Sequence, residues 1–131
     1  MKYLLSVAVS FLIFAETVEA SCSESLIATF QDVFQQLRDA FGDGDVGVFE
    51  DLVASLNQIT VKFINDFTTL APFDVVGRVG AVINYSISLT RDVDNAGTVL
   101  LNPTPEVLTA MTSIAPQLLA SVQMNCLMNN S

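Results

Sequence analysis

Two cysteines near opposite ends of a 131-residue chain constrain this sequence more than any other feature. Cys22 and Cys126 are its whole thiol complement, and what precedes them decides how to read them. Residues 1–20 have one positive charge at Lys2, then an apolar run from Tyr3 to Ala15 broken only by Ser6 and Ser10. They end in Val18-Glu19-Ala20, with small residues at the first and third places before a cut. That is the layout of a secretory signal peptide, so the chain is expected to be secreted and extracellular, with a domain spanning 21–131. An even pair of thiols in an oxidising compartment reads as a disulfide. Two thiols without histidine make a poor zinc site, so no metal is expected. Closing so long a loop restricts the unfolded chain by roughly 4–5 kcal/mol in the loop-entropy model. The first and last elements must then end side by side.

The apolar pattern supplies the elements. Ser21-Cys22-Ser23-Glu24 has capping-box spacing and predicts a helix start. From there Leu26, Ile27, Phe30, Val33, Phe34, Leu37 and Phe41 recur every three or four residues, and Gly42 with Asp43-Gly44-Asp45 stops the run. A second helix is predicted from about Val46 to Leu70, with Phe49, Leu52, Val53, Leu56, Ile59, Phe63, Ile64, Phe67 and Leu70 on one face and Pro72 beyond its end. Segment 74–95 is ambiguous: Ile83, Tyr85, Ile87 and Leu89 alternate as in a strand. At helical spacing Val75, Val76, Val79, Val82, Ile83, Ile87 and Val93 form one arc, opposite Arg78, Asn84, Ser88, Arg91 and Asp92. A lone strand would have no partner, so a helix with the valine arc inward is expected. The fourth helix has Thr104 as cap, Pro105 at its first position and Glu106 beside the positive dipole end. Its apolar side is Val107, Leu108, Met111, Ile114, Ala115, Leu118, Leu119, Val122 and Cys126, and Pro116 should kink or split it. The expected fold is an all-α, single-domain, up-down-up-down four-helix bundle closed by one disulfide, a topology that places both ends together.

Charge and composition exclude several functions. With 14 acidic side chains against 5 basic ones, a net charge of −9 and no histidine, phosphates could not be neutralised, so no nucleic-acid partner is expected. The absent histidine also removes Ser-His and Cys-His catalysis. No close pair of shielded carboxylates is visible for acid–base hydrolysis, so the chain is read as no enzyme and as needing no cofactor. No segment beyond the leader reads as apolar enough to cross a bilayer.

Four features invite a functional reading. Asp39 to Glu50 has part of a calcium-loop pattern, but Phe41 and Gly47 stand where oxygen ligands belong, so an acidic turn is the better account. Asn84-Tyr85-Ser86 and Asn129-Asn130-Ser131 are glycosylation sequons, making Asn84 and Asn129 candidate acceptors. The outer face of the fourth helix, Thr109, Thr112, Ser113, Gln117 and Gln123, is neutral and could serve self-association. Finally, the hydroxyls of Thr60, Ser86 and Thr90 fall on apolar faces. Short side chains of the third helix opposite Phe49, Phe63 and Phe67 would leave room for a cavity near Thr60, Phe63, Val79, Ile83, Ser86 and Thr90, with the hydroxyls orienting a ligand.

Leu26-Ile-Ala-Thr-Phe30-Gln-Asp-Val-Phe34, a glycine-containing turn and Phe49-Glu-Asp-Leu52 resemble the start of spidroin N-terminal domains. The resemblance implies a secreted, acidic helical bundle that self-associates. The chain departs from that family in lacking tryptophan, in its two cysteines and in having one helix fewer. Two expectations follow. The first is a secreted carrier of an apolar small molecule or lipid held between helices; the second is a secreted protein-interaction or self-assembling component.

Overall fold

A computed structural model describes residues 2–71, 73–101 and 103–127, with side chains described from Cys22 onward. The described residues form helices α1 (Lys2–Phe41), α2 (Val46–Thr68), α3 (Val75–Thr98), α4 (Pro105–Thr112) and α5 (Ile114–Val122), and no strand. A π-helical turn, Gln123–Leu127, continues α5. Because α4 and α5 are two halves of one broken helix, the described residues make four helices joined by turns.

Each helix end has a local cause. α1 does not begin at Ser21: it runs unbroken from Lys2, so the capping-box motif lies mid-helix, where upstream carbonyls already accept the amides a cap would serve. Its stop is as expected. Gly42 is left-handed (φ 56°), and its N–H donates to the Arg38 carbonyl at 3.0 Å, closing the last turn. Asp45 is also left-handed (φ 51°), and its Oδ1 accepts from the Leu101 N–H at 3.0 Å, tying the α1–α2 turn to the segment before α4. α3 is capped by Asp74, whose carboxylate accepts from the Gly77 N–H at 2.9 Å. A Cβ on Gly77 would fall 2.7 Å from Asp74 Oδ2, so glycine leaves the space this cap occupies. Thr104 Oγ1 accepts from the Val107 N–H at 3.1 Å, with Pro105 opening α4. Pro116 offers no N–H to the Thr112 carbonyl, and α4 ends at Thr112. Pro72, expected to limit α2, lies outside the described residues.

The core forms where large side chains meet. Every apolar residue predicted for the inner face of α1 is buried, and on α2 only Ile59 and Leu70 of the predicted stripe are partly exposed. Phe49 packs against Phe34 and Phe41, with ring centroids 5.8 and 5.4 Å apart, joining α1 to α2 beside their turn. The last helix contributes Val107, Met111, Ile114, Leu118, Val122 and Cys126, while Leu108, expected inside, is 47% exposed. Cys22 and Cys126 are disulfide-bonded with Cα atoms 4.7 Å apart across a sequence separation of 104. Gln36 and Gln117 exchange amide hydrogen bonds of 2.9 and 3.0 Å further along the same helix pair. As α1 advances from Cys22 to Gln36, its partners recede from Cys126 to Gln117, so the two run antiparallel.

Among the described residues one stretch, Pro105–Leu127, has the length and composition to cross a membrane (mean hydropathy 1.2), contrary to expectation. It is apolar because its inner side packs into the core against α1 and α3.

The third helix is where the structure departs most from the expected pattern. It is helical throughout, but the arc predicted to face inward faces out. Val75, Val76, Val79, Ile83 and Ile87 are exposed, and only Val82 and Val93 of that arc pack against the core. Arg78, Tyr85 and Leu89 are buried instead, and Asp92 is half-buried. Size explains the rotation. Tyr and Leu remove more apolar surface from water per position than Val, and Arg78, Val82, Tyr85, Leu89, Val93 and Ala96 also recur at three and four residues.

Candidate functional site

The α2–α3 contact gives partners to the inward-facing hydroxyls of Thr60 and Tyr85, to Arg78 and to one oxygen of Asp92. The Tyr85 ring stacks on Phe63 with centroids 4.6 Å apart and 15° between planes, and its hydroxyl lies 2.8 Å from Thr60 Oγ1. Burial pushes the phenol's pKa well above its ordinary value, opposed by the weaker effect of the Thr60 hydroxyl, so Tyr85 stays neutral. Two turns back towards the start of α3, the Arg78 guanidinium sits 4.4 Å above the Phe67 ring and donates to the Leu70 carbonyl at 3.2 Å. A cation is thereby placed at the negative end of α2 and on an aromatic face, both favourable positions. At the far end, Ser55 Oγ donates to Asp92 Oδ1 at 2.7 Å, while Asp92 Oδ2 is shielded without a hydrogen-bond partner. Burial raises the Asp92 pKa above the ordinary carboxylate value, and the Ser55 bond acts the other way. Ser55 with Asp92, Thr60 with Tyr85 and Phe67 with Arg78 run in opposite orders, so α2 and α3 are antiparallel.

This arrangement divides the six residues expected to line a cavity. Thr60 and Phe63 are buried, and Tyr85 fills the space in front of both. Val79 and Ile83 are exposed on the opposite side of α3, Thr90 is exposed and Ser86 is half-buried. Phe63 therefore faces Tyr85 and Phe67 faces Arg78 rather than short side chains, while Phe49 packs against Phe34 and Phe41 of α1. Ser86, Ile87 and Thr90 instead line an open surface groove with Arg91, Asp94 and Asn95.

The other candidate sites are placed as follows. Asn84 is exposed mid-way along α3, and Asn129 lies outside the described residues. In the Asp39–Glu50 segment the Asp39 carboxylate accepts from Gln35 at 2.9 Å, Asp45 is engaged with Leu101, and Glu50 is exposed on α2. No group of three or more His, Cys, Asp or Glu side chains is placed to hold a metal among the described residues. The neutral face of the last helix is partly occupied: Gln117 reaches Gln36, and its Nε2 also donates to Ser113 Oγ at 3.0 Å. Thr109 and Ser113 line an open groove that Gln36, Asp39 and Ala40 close from α1.

What remains is the outer face of α3. Val76 is 85% exposed, Val79 41%, Ile83 52% and Ile87 49%, and these residues follow one another at helical spacing. From Val75 to Thr90 the only charged residue is Arg78, and it is buried. Beside them Phe73, at 85% exposure, stands just before the helix. This apolar, uncharged stripe is continuous in a chain whose net charge is −9. The composition signal that finds it is the same valine arc that was read as core; its excess over what one core face can absorb is what shows on the surface. No family model, curated protein or solved structure matches this chain, so its resemblance to spidroin N-terminal domains gains no family support.

Proposed function

We propose that this is a secreted, non-enzymatic, disulfide-closed up-down-up-down bundle that works by presenting the outer face of α3 to another protein surface. The disulfide is compatible with an oxidising compartment, and the antiparallel pairs α1 with α5 and α2 with α3 support the topology. One observation carries the function: four adjacent apolar side chains on α3 stand half exposed or nearly so, with charged neighbours, Arg91 and Asp94, only at the Ile87 end. Such a stripe spans on the order of 400 Å², the scale of patches that mark interaction sites. Covering it would release about 8–13 kcal/mol per surface before the cost of association, which is of similar size and implies a weak, concentration-dependent complex.

The carrier reading depended on empty space beside Phe63, and Tyr85 stands there with its ring stacked on that phenylalanine. The interaction reading needs no cavity. A photoactivatable phenylalanine analogue at Val79 or Ile83 in the secreted protein tests it. Adducts to protein are expected from these positions and not from exposed Gln58 on α2. Labelling of small apolar molecules alone would return the carrier reading to first place.

A further inference from the structure

We infer that Asn84 is an N-glycosylation site that is modified only before α3 docks on α2, and that the folded protein is closed to the modifying enzyme. The inference rests on the secretory part of the reading above and not on what the outer face of α3 contacts. In the reaction Asn84 Nδ2 forms a bond to the anomeric carbon of a lipid-pyrophosphate-linked oligosaccharide. The bond from that carbon to the pyrophosphate oxygen breaks, the lipid pyrophosphate leaves with the electron pair, and Nδ2 loses one proton.

The enzyme reads the motif Asn84-Tyr85-Ser86 through the amide of its first residue and the hydroxyl of its third, so both must reach it together. In an extended segment residues two apart share a side. In a helix they stand about 200° apart, nearly opposite one another. In α3 Asn84 is exposed, whereas Ser86 is half-buried and lines the groove that contains Thr90 and Asp94. Between them Tyr85 is buried, its ring stacked 4.6 Å from Phe63 and its hydroxyl 2.8 Å from Thr60 Oγ1. Extending the motif therefore means pulling Tyr85 out of the core and breaking α3 near its middle.

Chain order leaves an interval for the reaction. α5 packs against α3 and Cys126 closes the disulfide, yet both follow Asn84 in the chain. While they are still being made, α3 lacks its packing against the last helix and the loop is open, so residues 84–86 extend at little cost. The folded state then accommodates the product. Asn84 is exposed, Gly80 one turn before it has no side chain, and a Cβ at Gly80 would meet nothing within 4 Å, so an attached sugar stands clear of the fold. It borders the apolar stripe on the Gly80 side and leaves the flank at Ser86 and Thr90 open.

The full chain secreted from a eukaryotic cell tests the site. Trypsin releases residues 79–91 as one peptide between Arg78 and Arg91. That peptide should carry a sugar that peptide-N-glycosidase removes, leaving aspartate in place of Asn84. Asn84→Gln and Ser86→Ala should each abolish the sugar, and Ser86→Thr should keep it. A bare peptide 79–91 from the secreted parent overturns the inference. If the chain is not exported by its own leader, the secretory reading fails, and export behind a replacement leader still puts Asn84 to the test. The order of events is tested with unglycosylated full chain, microsomal oligosaccharyltransferase and lipid-linked oligosaccharide. The oxidised, folded parent should be modified at least about tenfold more slowly than a reduced and alkylated Tyr85→Ala chain, whose motif no longer anchors α3 to α2. A synthetic peptide 79–91, with the motif intact and no fold around it, should react as readily as that variant. A folded parent that reacts as fast as the free peptide overturns the closed state.

Discussion

Tyr85 and Ile83 are two residues apart on α3 and therefore almost opposite one another around the helix, so truncating each in turn measures which way the helix faces. Tyr85→Ala removes a ring that is 2% exposed, its stack on Phe63 and the hydroxyl beside Thr60. Truncation of a buried aromatic costs about 3–5 kcal/mol, and loss of the stacked pair belongs within that figure. The Thr60 hydroxyl, itself 3% exposed, loses its partner, which adds roughly 1 kcal/mol unless it turns to the carbonyl one turn back. Ile83→Ala removes a side chain that is 52% exposed and should cost under about 1 kcal/mol. Urea unfolding followed by circular dichroism gives both numbers on one scale. For a domain of this size each kcal/mol corresponds to roughly 3–5 °C in Tm, so Tyr85→Ala should melt at least about 10 °C below the parent while Ile83→Ala stays close to it. The reverse order, with Ile83→Ala costing more than 2 kcal/mol and Tyr85→Ala less than 1, would mean the valine arc faces the core. It would refute both the packing and everything built on the exposed stripe.

Reducing the Cys22–Cys126 bond should lower stability by up to roughly 4–5 kcal/mol, with most helical signal kept at low temperature because the four apolar faces remain to be buried; thiol titration and thermal melts with and without reductant check it. Asp92→Asn should raise stability at neutral pH, since the native state binds the Asp92 proton more tightly than the unfolded chain does. In the parent this contribution is present below the ordinary carboxylate pKa and lost as pH rises through the raised native value, so the variant should show a flatter stability profile on the mildly acidic side. Gly42→Ala should cost about 1–2 kcal/mol through its left-handed backbone (φ 56°), although open space surrounds the position; equilibrium unfolding gives the value.

Particular residues show how far the sequence could be read. The stripe Leu26 to Phe41 and the stripe Phe49 to Phe67 were legible because each helix has one side dense in large apolar groups and another dense in charge, so only one orientation buries the first without the second. The caps at Thr104 and Asp74 and the stop at Gly42 are local, and local chemistry decided them. α3 offered two stripes. One held Val and Ile; the other held Tyr85 and Leu89 but also Arg78 and Asp92, whose charges argued against burial. What makes those charges tolerable lies on α2, far away in sequence: Phe67 and the Leu70 carbonyl for Arg78, Ser55 for Asp92, and Thr60 for the Tyr85 hydroxyl. None of these partnerships is visible at helical spacing within α3. The cavity expected beside Thr60 and Phe63 was lost for the same reason, since its far wall was assigned from the wrong side of the helix.

By itself, then, the chain's order of residues determined that it is helical, that Gly42 stops α1 and Thr104 caps α4, and that Cys22 and Cys126 close it, because capping, turn formation and apolar period are properties of neighbouring residues and the thiols are a single pair. Only tertiary structure decided which side of α3 is inside. That choice sets the hydrophobic gain of Tyr85 and Leu89 and the polar partners on α2 against the exposure of Val76, Val79, Ile83 and Ile87, and its terms exist only once two helices are in contact.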